Sequence, residues 1–409
     1  MPTTAPPPPA APAPPKRSPL RWRAPTGPVA TAATALRSAA PALLGYAAVR
    51  LLGTLVLLKW AHLRHHGLWP LLATQWDSRW YLDIADHGYA RVLRPDVFDV
   101  NNLAFFPLYP TVVKAAAAVT PGSRATVGLT VAVVCSLIAA WGIFAVGDRL
   151  QGRRAGTVLA VLWGATPVAL VQWMGYTESL FTALAAWTLY AVLSGRWLWA
   201  GTLSMLAGLT RPTGLAIAAA VSLCALAALR RSGRAPGPDD APGVARLLVA
   251  ALLAPLGWLG YVGWVGLRLR RPDGYFAVQR MWHNTWDGGA GTLRSLRSLL
   301  VHQAQPQLFL VVVSLVLIGS VVLFLLCLAD RQPLPLLVFS GVLLAIALGS
   351  GGVYFPRARF LLPGFPLLVP PALAIARARP RTAALALGGA AVASAYMGAY
   401  MTLVYPGAP

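Results

Sequence analysis

The apolar residues of this chain come in long blocks between short polar breaks, not in the alternation of half-buried strands. A helix that crosses a bilayer needs about 20 largely apolar residues. About eleven stretches approach that length: 41–60, 126–146, 155–173, 178–193, 197–210 (a short one), 213–229, 247–267, 307–328, 334–349, 360–376 and 382–404. The pattern predicts an all-α polytopic membrane protein, a bundle of about eleven transmembrane helices. The stretch 103–119 is also apolar, but Pro107, Pro110 and Lys114 interrupt it. It reads as a juxtamembrane or re-entrant segment, because proline-broken backbone is costly in open lipid.

Two segments carry a helical stripe instead of a block. In 76–89, Trp76, Trp80 and Ile84 recur every fourth residue, Tyr81 and Ala85 widen the face, and Gly88 closes it. This predicts an amphipathic helix with aromatics at the membrane interface. In 292–303, Leu293, Leu296, Leu299 and Leu300 are interleaved with Arg294 and Arg297, the pattern of a surface-lying helix.

Composition agrees with lipid as the main solvent. Charged residues are 11% of the 409, where soluble domains carry about 25%. The net charge of +22 would suggest nucleic acid if it were concentrated in one patch. Here the basic residues are thinly spread between apolar blocks, so they read as headgroup anchors and no nucleic-acid partner is expected. Residues 1–38 form a basic Pro/Ala-rich segment with Lys16, Arg17, Arg21 and Arg23, predicted to be a disordered cytoplasmic tail. The first apolar run is too long and too far in for a cleaved signal, so the membrane domain is 39–409. Cys135, Cys224 and Cys327 all lie in apolar runs without metal-ligand spacing, as small buried hydrophobes do. His62 and His66 are weak candidates at helical spacing, and no metal site is assigned.

With the tail in the cytoplasm, the inner turns hold Arg149/Arg153/Arg154, Arg196, Arg230/Arg231/Arg234 and Arg377/Arg379/Arg381, as the positive-inside tendency requires. Two long outer loops, about 61–125 and 268–306, then gather the unusual polar residues on one face. Asp77 sits at the edge of the 76–89 stripe. Partial desolvation would make its carboxylate a better base, while a helix-start acid facing the dipole explains it equally well. Asp83 and Asp86 fall on the solvated face, and His87 suits the C-terminal end of the dipole. Glu178 opens a span after Gly175-Tyr176-Thr177. Arg211, in Thr210-Arg211-Pro212, either snorkels or meets a phosphate. Arg357 and Arg359 flank Ala358 at another boundary, and either headgroups or a lipid phosphate would suit them. Tyr275–Trp286, with Trp282 and His283, offers aromatic faces and hydrogen-bonding groups fit for a sugar or for an interfacial belt.

Taken together, these blocks resemble the PIG-V family, the second mannosyltransferases of glycosylphosphatidylinositol synthesis, and its bacterial relatives. The resemblance rests on Trp76-Asp77, Ile84-Ala85-Asp86-His87-Gly88-Tyr89, and Ala104-Phe105-Phe106-Pro107-Leu108-Tyr109-Pro110. It extends to Tyr176-Thr177-Glu178-Ser179, Gly208-Leu209-Thr210-Arg211-Pro212 and Arg357-Ala358-Arg359-Phe360. Trp80-Tyr81 stand where eukaryotic members of that family often carry His. The resemblance implies a GT-C bundle with a catalytic Asp in the first outer loop, here Asp77, and an inverting transfer from polyprenyl-phosphate-mannose. Arg211, Arg357 and Arg359 would hold the donor phosphate. Trp76, Trp80, Tyr81, His87, Phe106, Tyr109, Tyr176, Glu178, Trp282 and His283 would line the substrates. The lipid-phosphate sugar is a co-substrate, so no further cofactor is implied. The acceptor would be a glycolipid on the extracytoplasmic face of a bacterial plasma membrane, a placement that the Ala/Pro/Arg-rich composition suggests.

A sugar or lipid transporter or flippase is the competing class. It would show paired broken helices and inverted repeats, and no internal repeat is visible. A GT-C enzyme with a different sugar or a protein acceptor is the nearer alternative.

Overall fold

The computed structural model describes residues 32–93, 101–232 and 243–408. It is an all-α membrane bundle. Its helices are α1 Ala32–Leu63, α2 Leu68–Ala73, α3 Asp77–His87, α4 Leu108–Ala117, α5 Arg124–Gln151, α6 Arg153–Gly164, α7 Glu178–Leu193, α8 Trp197–Gly208 and α9 Gly214–Ser232. They continue as α10 Val244–Arg268, α11 Gly274–Met281, α12 Ala290–Arg297, α13 Leu308–Ala329, α14 Leu334–Gly349, α15 Arg357–Phe360, α16 Val369–Arg377 and α17 Pro380–Leu403. Thr285–Trp286 and Ser350–Gly351 form a two-residue antiparallel pair, β1 and β2.

Six of these helices, α1, α5, α9, α10, α13 and α17, are long and apolar enough to cross a membrane. Glu178–Leu193 and Leu334–Gly349 are shorter apolar helices. Of the other three predicted spans, 197–210 is the single short helix α8, and two are assembled from pieces. The stretch 155–173 is α6, a break, and a 3-10 turn at Ala169–Trp173; 360–376 is α15, a turn at Phe365–Leu368, and α16. Proline decides both breaks: Pro167 follows α6, and Pro363 and Pro366 follow α15, where each removes an N–H and clashes with the preceding turn. Helix α1 starts at Ala32, earlier than the boundary at 39, because the Ala-rich run before it has high helix propensity. The rest of the predicted tail lies outside the described residues.

The break after α6 frees carbonyls inside the bundle, and buried side chains take them up. Gln172 Nε2 donates to Trp163 O (3.0 Å), and Gln172 Oε1 accepts from Tyr46 Oη (3.0 Å). Ser394 Oγ donates to Thr166 O (2.7 Å) and accepts from Arg50 Nη2 (2.9 Å). Arg50 is buried and makes no ion pair among the described residues. Its guanidinium is tied to the break after α6 through Ser394 rather than to a carboxylate.

Small residues let helices touch backbone to backbone. A Cβ on Gly156 of α6 would lie 2.5 Å from Phe144 O of α5. A Cβ on Gly257 of α10 would overlap Met205 O of α8. These contacts lock α5 to α6 and α8 to α10. Around that frame, α2, α3, α4, α11 and α12 collect at one end of the bundle, next to the N-termini of α7 and α9.

Candidate active site

Helix α3 begins at Asp77, and α7 begins at Glu178. Local packing brings these two starts together. Gly175 N donates to Leu72 O (2.8 Å), and a Cβ at Gly175 would be 3.0 Å from Ser78 Oγ. The chain leading into α7 thus lies directly against the first turn of α3. Tyr81 Oη and Thr177 Oγ1 share a hydrogen bond of 3.1 Å across the same seam. The residue that turns the chain into α3 is Trp76, at φ 49° and ψ −119°. That is a costly conformation for a bulky side chain, of the kind that persists where a site over-determines the backbone.

Two arginines from distant segments close the cluster. Arg359 Nη2 lies 2.8 Å from Asp77 Oδ2, and Arg359 Nε lies 3.3 Å from Glu178 Oε1. Arg211 Nη1 lies 2.9 Å from the same Glu178 oxygen. Arg359 also stands over the Tyr176 ring at 5.1 Å, and Arg211 over the Phe360 ring at 5.6 Å. The side chains of Glu178, Arg359 and Arg211 are 2%, 7% and 8% exposed, whereas Asp77 keeps 24%. Asp77 is therefore the member of the cluster that an incoming group can reach.

The cluster is neutral in sum but incompletely satisfied. The Glu178 contacts lie within ion-pair distance yet miss hydrogen-bond geometry. Beyond the atoms paired with Glu178, Arg211 Nε and Arg359 Nη1 are buried donors without a hydrogen-bond acceptor among the described residues. Such donors are rare in folded proteins and expensive to leave empty. Guanidinium N–H groups match the oxygens of phosphate or carboxylate. Burial pushes the Asp77 carboxyl above the usual carboxylate range. Arg359 pulls it back down, Glu178 adds to the rise, and Arg211 opposes it.

Beside Asp77 stands an aromatic wall. Trp80 stacks on Phe105 at 5.5 Å, and Trp282 meets Trp80 edge-on at 5.2 Å. Trp282 is held by Nε1 donating to Asn101 O (3.2 Å). Trp80 follows Asp77 by three residues, so both project from neighbouring turns of one helix face. Of the Phe-Phe-Pro block, it is Phe105 that joins this wall, whereas Phe106, the ring expected at the site, packs away from it. An aromatic doublet does not reveal which ring faces outward.

Other expected site residues fall elsewhere. Phe106 and Tyr109 are buried supports: Phe106 packs on Tyr261 at 4.4 Å, and Tyr109 Oη donates to Gly128 O (2.8 Å). Tyr81 is a buried strut through its bond to Thr177. His87 is 77% exposed and pairs with Asp83 at 3.0 Å, about 15 Å along α3 from Asp77 at the helical rise. His283 is exposed and has φ 55°. Its carbonyl lies where a Cβ on Gly352 would fall, so it seals two loops together.

Arg357 points into a different network from its neighbour Arg359. Its Nη2 donates to Ser350 O (2.5 Å), its Nη1 to Thr292 Oγ1, and its Nε to Val353 O (3.3 Å). With its donors spent on the backbone of β2 and on α12, it braces the loop that carries Trp282 and does not share the Asp77 cluster. Asp287 belongs to that brace. It accepts from Gly291 N (2.6 Å) and Gly289 N (3.0 Å), which hold its carboxyl below the usual range.

An apolar cavity of ≈200 Å³ opens beside α15, lined by Ala358, Leu361 and Leu362 on one side and Val316, Ser320 and Leu323 of α13 on the other. It begins at the residue preceding Arg359.

No protein-family model matches the sequence, and no curated protein matches it. Solved structures do share the fold. ArnT from Cupriavidus metallidurans bound to undecaprenyl phosphate gives a TM-score of 0.54 at 13% identity, over 85% of this chain and 62% of that one. The same enzyme in the apo state gives 0.50 at 13% identity, over 76% and 57%. The chain thus spans about three fifths of the length of ArnT. The Archaeoglobus fulgidus oligosaccharyltransferase tethered with an acceptor peptide is a weaker likeness, with a TM-score of 0.48 at 15% identity, over 89% of this chain and 56% of that one. The all-α membrane fold expected from the sequence is thus shared with ArnT.

Proposed function

We propose that the protein is a membrane glycosyltransferase that moves mannose from a polyprenyl-phosphate donor to a glycolipid acceptor on the extracytoplasmic face, with inversion. The single observation that carries this reading is the closed Asp77–Arg359–Glu178–Arg211 cluster, with buried guanidinium donors left over. Those donors suit the phosphate of a lipid carrier, and the apolar cavity next to Ala358 suits the first part of its chain. The likeness in fold to an ArnT bound to undecaprenyl phosphate supports the same donor class. The choice of mannose and of a glycolipid rests on the resemblance of the Trp76-Asp77 and Phe105-Phe106-Pro107 blocks to the PIG-V family.

The chemistry balances within the cluster. The acceptor hydroxyl gives its proton to Asp77 as its oxygen bonds to the anomeric carbon. The bond from that carbon to the phosphate oxygen breaks, and the electron pair stays on the phosphate, which gains a second negative charge. Asp77 becomes neutral in the same step and releases its hold on Arg359. The guanidinium is thereby freed to stabilise the leaving phosphate when its charge is greatest. Glu178 holds both arginines in place before the donor arrives. Trp80 and Trp282 give the acceptor sugar a stacking face. The direct test is Asp77→Asn in membranes supplied with polyprenyl-phosphate-mannose. Removing a general base costs about 10²- to 10⁴-fold in rate. A folded Asn variant with near-normal turnover would refute the assignment.

A further inference from the structure

Along the side of α7, from the turn after Glu178 to its C-terminal end, the surface carries a second site that shares no residue with the acid–arginine cluster. An apolar groove of ≈360 Å³ runs between α5, α7 and α8, with Ile138, Leu184, Trp187, Tyr190 and Trp199 in its walls and Arg196 at its end. Along α7 it extends from Leu180 to Ala191, about 16 Å at the helical rise. One leaflet of the hydrocarbon core is about 15 Å deep, half of the whole. The groove therefore has the length of a single acyl chain and ends at Arg196, in the turn between α7 and α8.

The mouth is positively charged. Arg196 is exposed and takes part in no ion pair among the described residues. It is also the N-cap of α8 and supplies no side-chain acceptor to that helix, so the positive end of the α8 dipole faces the same place. The negative end of α7 is covered: Arg149 Nε and Nη2 donate to Leu193 O at 3.1 and 2.8 Å. Trp187 fixes the wall, its Nε1 donating to Ile138 O (3.1 Å), with its ring edge-on to Trp141 at 5.4 Å.

We infer that this groove binds one anionic phospholipid from the leaflet opposite the acid–arginine cluster, its acyl chain between α5, α7 and α8 and its phosphate on Arg196. A lipid seated there wedges the helix whose other end presents Glu178. The site stands whether or not the cluster transfers a sugar.

The test uses the full chain reconstituted in vesicles of equimolar phosphatidylglycerol and phosphatidylcholine, extracted in mild detergent, with the retained lipid quantified by mass spectrometry. The wild type retains phosphatidylglycerol in preference to phosphatidylcholine by about tenfold, the low end for a charge-assisted contact. Arg196→Gln brings that preference to the ratio of the mixture, and Arg196→Lys keeps most of it. Ala183→Trp fills the groove and lowers retention of both lipids. Arg231→Gln, at the same end of the bundle, leaves the preference unchanged. Equal retention of the two lipids by the wild type means annular lipid only and overturns the proposal. So does an Arg196→Gln protein that retains phosphatidylglycerol as the wild type does, or an Arg231→Gln protein that loses it equally. Because Arg196 is exposed, its variants keep the fold and decide the matter even if the tryptophan variant does not accumulate.

Discussion

Arg359→Gln and Glu178→Gln should move the pH–rate profile in opposite directions. In the wild type, burial and Glu178 raise the Asp77 carboxyl, while Arg359, 2.8 Å away, lowers it. A general base works only when deprotonated, so the rate falls as pH drops through the Asp77 pKa, and that acid limb lies above the usual carboxylate range. Removing Arg359 takes away the largest opposing charge, and the limb moves to higher pH. Removing the negative charge of Glu178 lets Asp77 ionise more readily, and the limb moves to lower pH. The plateau rates separate the two roles. Loss of Arg359 also removes a donor aimed at developing phosphate charge, worth about 10²- to 10³-fold, or roughly 3–4 kcal/mol. The Lys variant keeps the charge but not the planar fork, so it should correct the pH shift better than the plateau. The assay is initial transfer rate against pH in detergent-solubilised enzyme with saturating donor, alongside a thermal unfolding curve for each variant. Limbs that shift in the same direction, or do not shift at all, would show that Asp77 is not the group titrating, and the electrostatic account of the cluster would fail.

Other outcomes follow from the same geometry. Arg211→Ala should weaken donor binding by about tenfold or more, since a hydrogen bond to a charged group contributes roughly 1.5–3 kcal/mol; unchanged affinity in a direct binding measurement would remove the phosphate role. Trp80→Ala should raise the acceptor KM while leaving the donor KM alone, by roughly the 0.5–1.5 kcal/mol of an aromatic contact; an equal change in both constants would mean that Trp80 only packs. Gly257→Ala should abolish a stable bundle because the added methyl would overlap Met205 O, whereas nothing lies within 4 Å of a Cβ at Gly260. Comparing the thermal inactivation of Gly257→Ala and Gly260→Ala checks the α8–α10 contact, and equal stability of the two would contradict it.

Apolar blocks and charge scarcity are local properties of the chain, and they suffice for the class of fold. Lipid admits helices almost exclusively, so a run of about 20 apolar residues that no proline cuts becomes a spanning helix. The amphipathic helix at 76–89 was legible for the same reason: its period of 3.6 gave α3 its face, and Gly88 its end. Asp77, Glu178, Arg211 and Arg359 could each be marked as a polar residue at a membrane edge, which is unusual enough to notice one residue at a time.

What the sequence could not supply is which of these residues meet. Arg357 and Arg359 are two positions apart, yet one braces β2 and α12 while the other bridges Asp77 and Glu178. A short helix of four residues turns them to different sides, and nothing in the Arg-Ala-Arg pattern says which side holds the acids. Phe105 and Phe106 divide in the same way, one into the aromatic wall and the other into packing on Tyr261. The breaks that deliver Glu178 and Arg359 to the site depend on buried partners hundreds of residues away, as when Ser394 takes up the carbonyl of Thr166. Membrane residence and the candidate charges thus follow from the chain alone, because hydropathy acts residue by residue. The cluster itself follows only from the fold, because long-range packing sets the direction of each side chain.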